Sequence, residues 1–426
     1  MTLPLPNIFK LLTAGVVFAA VAVVLAVVNR SPDIEVGSPS AGAANDRISL
    51  LQEAVRSRPE EPRGYAALGE AYLQKARESA DPAWYAKAEV VLRRALRLDP
   101  RSPDALIAQG TLDLARHDFA AALRRGRAAR RAAPELVRPY GVLVDALVEL
   151  GRYEAAGREL QRMIDLKPNL ASYARVSYFR ELHGDLAGAL DAMRLAVSAG
   201  GEAAENVAYV QSLLGNLEFA RGDLAAARRA HSAALERFPG HAPASAGLAR
   251  VVAAEGDLAG SIERWSELVA RLPLPEYVVG LAEAELAAGR RGDARRHLEL
   301  VGAQQRLLAR GGVNVDVELA LFEADHGSPR RAVALAHDAM RAAPSVRSED
   351  ALGWALTAAG RPREGLVHAR RALRLGWRDP LVLYHAGMTA KAAGEQALAR
   401  RWLRRALARN PAFSPLYAPR AKRALR

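Results

Sequence analysis

Residues 137–168 read VRPYGVLVDALVELGRYEAAGRELQRMIDLKP, and this stretch decides the fold. An apolar stripe at helical spacing runs through its first half, at Tyr140, Leu143, Val144 and Leu147. Gly151 can adopt the left-handed conformation that ends a helix. A second stripe then follows, at Ala156, Leu160, Met163 and Ile164. Pro168 stops the second helix, because proline cannot continue the hydrogen-bond ladder, so the stretch predicts an antiparallel helical hairpin.

The loop glycine of this hairpin recurs along the chain, at Gly151, Gly184, Gly222, Gly256, Gly289, Gly327, Gly360 and Gly394. Successive gaps are 33, 38, 34, 33, 38, 33 and 34 residues. Such a period is typical of a solenoid, in which each unit buries its apolar face only against its neighbours. Alanines at fixed offsets after the glycine, such as Ala227 and Ala234, are predicted to lie where helices meet, because alanine lets two backbones approach closely.

The pattern resembles the tetratricopeptide repeat (TPR) family, which combines an aromatic, a Leu-Gly pair, a second aromatic, small residues and a proline. Its clearest copy is formed by Tyr65, Leu68, Gly69, Tyr72, Ala88, Leu92, Ala95 and Pro100. Extra residues around 77–82 are expected to lengthen the turn of this copy. The resemblance covers residues 46–420 and implies an all-α, right-handed superhelical solenoid of about ten TPR-like hairpins. A lone helix at 48–58 is predicted before the first hairpin, and a C-terminal capping helix ends the array.

Two of the gaps are wider than the others, through additional residues around 198–205 and 304–314. Two interpretations remain open for them. One is a longer loop between stacked hairpins, and the other is a local change in superhelical pitch or a binding loop.

The N-terminal part differs in kind from the repeats. Residues 1–10 are predicted to be a short tail and residues 11–29 a transmembrane helix, because residues 11–28 carry no charge and are mostly apolar. A cleaved signal peptide is the alternative, with Ala20-Val21-Ala22 as its small-x-small site. Residues 30–45, rich in Ser, Gly, Pro and Ala, are predicted to be a flexible linker, and residues 46–426 to be the solenoid. The flanking charges favour a single-pass protein of the cell membrane with its solenoid outside the cytoplasm.

The chain has a net charge of +13 and 60 basic residues, nearly all of them arginine. This bias fits a GC-rich bacterial genome as well as a binding role. The absence of cysteine excludes disulfides, thiolate catalysis, cysteine-ligated metals and a lipoprotein anchor. A basic run on one second helix fits either a solvated face or contact with nucleic acid or lipid, at Arg124, Arg125, Arg127, Arg130 and Arg131. A second run fits the polar face of a capping helix, at Arg400, Arg401, Arg404 and Arg405.

The best candidate for chemistry is residues 313–327, where Asp316, Glu323, Asp325 and His326 cluster. Glu323 and His326 are three residues apart, a spacing that can share a metal on one helix face. Helix capping and surface polarity explain the same residues, because histidine suits a helix C-terminus. No phosphate loop, nucleophile elbow or paired-carboxylate motif appears. We therefore predict no enzymatic activity, no cofactor and no metal.

The resemblance implies that a partner binds in a concave groove lined by the first helix of each hairpin. The residues expected to bind it are Tyr178, Tyr209, Asn216, Arg250, Trp354 and Tyr384. The predicted function is a non-catalytic, membrane-tethered protein-binding scaffold of the bacterial cell envelope, with a protein or peptide partner and no nucleic acid. Two alternatives are a metal-dependent or regulatory module at Glu323 and His326, and a cytoplasm-facing adapter that holds an enzyme at the membrane.

Overall fold

The computed structural model describes residues 41–79, 81, 83–201, 203–310 and 316–426. Within these ranges the chain forms 22 helices and no strand. The helices are α1 (Ala41–Ser57), α2 (Pro62–Ser79), α3 (Ala83–Leu98), α4 (Pro103–Ala115), α5 (Phe119–Ala132), α6 (Arg138–Glu149), α7 (Tyr153–Leu166), α8 (Leu170–Leu182), α9 (Leu186–Ala199), α10 (Ala204–Arg221), α11 (Leu224–Arg237), α12 (Ala242–Ala254), α13 (Leu258–Arg271), α14 (Pro275–Ala287), α15 (Arg291–Arg310), α16 (Asp316–His326), α17 (Pro329–Ala342), α18 (Val346–Ala358), α19 (Pro362–Ala372), α20 (Pro380–Ala392), α21 (Gln396–Arg409) and α22 (Tyr417–Ala424).

Ten consecutive antiparallel hairpins run from α2/α3, hairpin 1, to α20/α21, hairpin 10. The lone helix α1 precedes them, and the short helix α22 packs on hairpin 10 after them. The prediction of an all-α solenoid is confirmed, while the right-handed sense of its superhelix stays a prediction. The arginines at 400, 401, 404 and 405 are exposed on α21, which is the second helix of hairpin 10 rather than the cap.

The predicted tail and transmembrane segment, residues 1–29, lie outside the described residues. The same holds for residues 30–40 of the predicted linker. Residues 41–45 were also assigned to that linker, yet they belong to α1, so the first helix begins earlier than predicted. Among the described residues, no helix is both long enough and apolar enough to cross a membrane.

The turns and helix contacts follow the repeat pattern. Most of the loop glycines have the positive φ that was expected of them; Gly222, for example, has φ 89°. In hairpin 2 the same place is occupied by His117, with φ 61°, so the glycine pattern alone misses this hairpin. Ala227 and Ala234 have no exposed surface, which confirms their predicted place between packed helices.

The hairpins stack so that most first helices also pack on the first helix of the next hairpin. For example, α4 packs on α6, and α18 packs on α20. Their second helices lie on the other side of the stack. Because first helices are the more closely spaced, they form the concave side of the curve. We call the surface that they form the inner surface and the opposite one the outer surface.

The additional residues of the irregular repeats extend helices rather than loops. Helices α2 and α10 each have 18 residues and α15 has 20, whereas α4 has 13. The expected longer turn in hairpin 1 and the longer loop before hairpin 5 are therefore wrong, because a lengthened helix pairs its own backbone groups where a loop would leave them unpaired. The two extensions meet: Gln74 Nε2 donates to Glu205 Oε2 at 3.2 Å, and Arg77 Nε lies 3.5 Å from the same oxygen.

Successive turns of the superhelix touch each other. The Tyr153 hydroxyl accepts a 2.8 Å hydrogen bond from the Val346 amide, 193 residues further along. The Asn410 side-chain amide donates to the Phe219 carbonyl at 2.7 Å, across 191 residues. The turns between the two helices of hairpins 3 to 5 thus contact the loops that follow hairpins 8 to 10. One superhelical turn takes about five to six hairpins, and its concave side faces the interior of the superhelix.

Candidate functional site

All six residues predicted to bind a partner lie on first helices, the helices that form the inner surface. Tyr178 belongs to α8, Tyr209 and Asn216 to α10, Arg250 to α12, Trp354 to α18 and Tyr384 to α20. They differ widely in how much of each side chain solvent can reach. The structure does not bring them together at one point but spreads them over hairpins 4 to 10.

Asn216 and Arg250 form a contact between adjacent hairpins. An Arg250 guanidinium nitrogen donates to Asn216 Oδ1 at 2.6 Å, and the guanidinium lies 5.7 Å from the centre of the Phe219 ring. Arg250 is exposed to solvent, yet the surrounding protein lowers the pKa of its guanidinium by displacing water. The Arg250 side chain is therefore accessible to solvent although protein atoms of the inner surface surround it. The pair can therefore offer hydrogen-bond donors to a ligand that enters there.

Tyr209 and Tyr384 are buried, with exposed fractions of 4% and 2%. The ring of Tyr209 meets the edge of His241, with ring centres 6.3 Å apart. Tyr384 packs against Tyr417 of α22 at 5.4 Å between ring centres. The rings of these two tyrosines pack beneath the residues of the inner surface and expose little area to a partner.

Tyr178 and Trp354 are half-buried. The Trp354 indole Nε1 donates to Asp325 Oδ1 at 3.0 Å, and its ring stacks on His385 with centres 4.7 Å apart. Tyr178 faces Arg347 of hairpin 9, and burial raises the pKa of the tyrosine hydroxyl. Both rings therefore combine one partly open face with an existing polar contact.

Carboxylates dominate the inner surface around these residues. Half-buried acidic side chains with raised pKa values come from five different hairpins, at Glu149, Glu181, Glu276, Glu318, Asp325 and Asp379. Burial raises the pKa of Glu181 and of Glu276 to about 8, because the interior solvates the charged form poorly. Arg347 offsets part of this charge, since its guanidinium lies 3.2 Å from Glu318 Oε1.

The sequence contained a signal for this acidic character that a search for motifs overlooks. Glu149, Glu181 and Asp325 each lie two or three residues before a loop glycine, and Glu276 lies thirteen before one. Those offsets fall on the inner face of a first helix, because they match the helical period. The acids are spread over five hairpins instead of clustering in sequence, so no local motif reveals them.

Glu323 and His326 engage different partners. Glu323 Oε2 accepts from the Ser328 amide at 2.8 Å, and its other oxygen lies 3.3 Å from Arg331, so its carboxylate caps the helix that follows. His326 Nε2 lies 3.2 Å from Glu283 Oε1 on the neighbouring hairpin. Over the described part of the chain, no three histidine, aspartate or glutamate side chains are placed to hold a metal ion.

Comparison with known proteins finds similar folds among solved structures. TTC0263, a thermophilic TPR protein of Thermus thermophilus, is 21% identical with a TM-score of 0.39, over 44% of this chain and 98% of that one. The human IFIT1 dimer with PPP-AAAA is 14% identical, with a TM-score of 0.45, over 85% of this chain and 94% of that one. PilF of Pseudomonas aeruginosa is 20% identical, with a TM-score of 0.37, over 51% of this chain and 94% of that one. No protein-family model and no curated protein matches the sequence. The TPR-like architecture therefore rests on the ten hairpins of the chain itself.

Proposed function

We propose that the chain is a non-catalytic scaffold whose inner surface binds an extended segment of a partner protein. The observation that carries this proposal is the exposed Arg250 with its Asn216 partner, held at the middle of a curved surface that ten hairpins share. A solenoid of this kind offers hydrogen-bonding side chains at regular intervals along one path. An extended peptide presents side chains and backbone groups at regular intervals too, so many weak contacts can add up.

The carboxyl groups of the inner surface support a partner segment that carries lysine or arginine. The half-buried carboxylates with raised pKa values outnumber the cations that face them. A basic side chain that entered would stabilise the ionised form of groups such as Glu181 and Glu276. Complementary charge of this sort contributes chiefly to specificity and to the rate of association. Nucleic acid, whose backbone is anionic, does not suit this surface.

A double variant tests the site. Asn216→Ala with Arg250→Ala should lower capture of the main partner from envelope extract by about tenfold, because loss of one good polar anchor is worth about 1–2 kcal/mol. Arg229→Ala is the matched control, since Arg229 is an exposed arginine on the outer helix α11. Tyr209 is left unchanged, because replacing a buried tyrosine would disturb the fold itself.

Melting temperature and helical circular dichroism should remain near wild type for both the double variant and the control. Undiminished capture by the double variant, or an equal loss in Arg229→Ala, would place the binding surface elsewhere on the chain.

We propose further that residues 11–29 tether the scaffold to a bacterial cell membrane with the solenoid outside the cytoplasm. The uncharged apolar run and its flanking charges support this topology. Alkaline phosphatase, which is active only outside the cytoplasm, should then be active when it is fused after Arg426. Activity of a cytoplasm-only reporter at the same position would instead favour the alternative, an adapter that holds an enzyme on the cytoplasmic side.

A further inference from the structure

A cleft of about 470 Å³ opens on the outer surface between hairpins 1 and 2. Its walls come from the second helices α3 and α5, and its floor comes from α4. It lies on the opposite side of the hairpins from the inner surface. Nothing in the proposed scaffold function uses it. Its volume falls in the range of small-molecule sites.

The floor of the cleft holds two buried hydrogen-bond acceptors that have no donor. Gln109 Nε2 donates to Asp113 Oδ1 at 2.9 Å, which leaves Gln109 Oε1 and Asp113 Oδ2 unsatisfied. The two residues are 7% and 9% exposed. The nearest cation to the free carboxylate oxygen is the Arg125 Nε, at 3.9 Å, which is beyond hydrogen-bond distance. Buried acceptors without a donor are unfavourable, because no hydrogen bond compensates for the water that they lost on folding. A ligand that donates hydrogen bonds to them would remove this cost.

The rim of the cleft holds arginines in excess of their acidic neighbours. Its four arginines are Arg93, Arg97, Arg124 and Arg125. Glu89 pairs with Arg93 and Arg116, and Asp118 accepts from the Ala121 amide at 2.9 Å, so these acids are already engaged. Arg97 and Arg124 are exposed and form no ion pair with any residue that the structure describes.

We propose that this cleft binds a small zwitterion, with its ammonium group on Gln109 and Asp113 and its carboxylate or phosphate on Arg97 and Arg124. An ammonium group supplies the donors that the floor lacks and the positive charge that a buried carboxylate requires. An anionic group at the opposite end meets two guanidinium groups, which bind carboxylate and phosphate through paired hydrogen bonds. Neither a simple anion nor a simple amine satisfies both ends of the cleft.

The test is titration calorimetry of the full-length protein in detergent. Triglycine and phosphoethanolamine serve as the carboxylate and the phosphate zwitterion. Acetate and inorganic phosphate are the matching simple anions, and ethanolamine is the simple amine. At least one zwitterion should bind about tenfold more tightly than its matching simple anion and than the simple amine. Asp113→Asn keeps the shape of the side chain but removes its charge, and it should weaken zwitterion binding about tenfold. Arg124→Ala should do the same, whereas Arg229→Ala on α11 should not.

The zwitterion that binds more tightly shows whether the anionic group of the ligand is a carboxylate or a phosphate. Triglycine would indicate an amino-acid or peptide ligand, and phosphoethanolamine would indicate an aminophosphate. Equal binding of the preferred zwitterion by wild type and by Asp113→Asn would mean that the arginines alone hold the ligand, and it would overturn the proposal. Absence of measurable binding by both zwitterions would also overturn it. Melting curves of each variant show whether a loss reflects the site or the fold.

Discussion

Gly151→Ala is expected to lower the free energy of unfolding by about 3 kcal/mol, because the new methyl group would force two superhelical turns apart. A Cβ built on Gly151 would lie 2.2 Å from the carbonyl oxygen of Pro344, a backbone atom that cannot rotate away. Gly151 also has φ 68°, which disfavours any residue with a side chain. The substitution therefore carries two costs, one conformational and one steric.

Gly360→Ala separates these two costs. Gly360 has φ 75°, close to that of Gly151, but a Cβ there would meet nothing within 4 Å. Only the conformational cost remains, and we expect it to lower the free energy of unfolding by about 1 kcal/mol. Urea denaturation followed by circular dichroism measures both variants. Equal effects at the two glycines would mean that the turns of the superhelix do not touch in solution.

Small-angle scattering gives a second readout of the same contact. A Cβ on Gly184 would lie 2.3 Å from the carbonyl oxygen of Gly376, so this glycine supports the next contact between the turns. Gly151→Ala combined with Gly184→Ala should increase the radius of gyration while the helical content stays unchanged. Gly360→Ala combined with Gly394→Ala, two positions with open space around the Cβ, should leave the radius unchanged.

Contacts of this kind could not be predicted from the sequence. The repeat period predicts which residues meet inside one hairpin and between neighbours, and Ala227 illustrates that it does so well. It carries no information on the radius or pitch of the superhelix. Those quantities accumulate from small rotations at every hairpin, and the meeting of Tyr153 with Val346 depends on five or more of them.

The site shows a similar division. The helical period correctly assigned the six candidate residues to first helices, yet it could not show which of them remain open to solvent. Tyr209 and Tyr384 are buried, and the rings of His241 and Tyr417 that pack against them come from outside the hairpin concerned. Exposure on a curved surface depends on neighbours that the periodicity of a single helix does not identify.

Arg175→Met is the second substitution for which a large effect is expected, a loss of about 3–5 kcal/mol in the free energy of unfolding. Arg175 is 2% exposed, and its Nε and one Nη donate to the two carboxylate oxygens of Asp145 at 2.9 and 2.6 Å. Its other Nη donates to the Ala171 carbonyl at 3.0 Å. Methionine keeps much of the side-chain length but leaves the Asp145 carboxylate buried without a counter-ion.

The double variant Arg175→Met with Asp145→Leu distinguishes a lost pair from a stranded charge. Removing both charges avoids the uncompensated carboxylate, so the double variant should be more stable than Arg175→Met alone by about 2 kcal/mol. Losses that simply add would contradict this coupling, because they would show that neither charge depends on the other.

The free energy of unfolding of Arg175→Met should depend on pH in a way that a packing defect alone would not produce. Burial raises the pKa of Asp145 to about 7 even with Arg175 present, and loss of the guanidinium should raise it further. A carboxyl group whose pKa is higher in the folded state stabilises the fold below its unfolded pKa, and this contribution is lost as the pH rises through the folded value. The deficit of Arg175→Met relative to wild type should therefore be larger at pH 8 than at pH 5. A deficit that is the same at both values would indicate that the cost comes from lost packing rather than from the buried charge of Asp145.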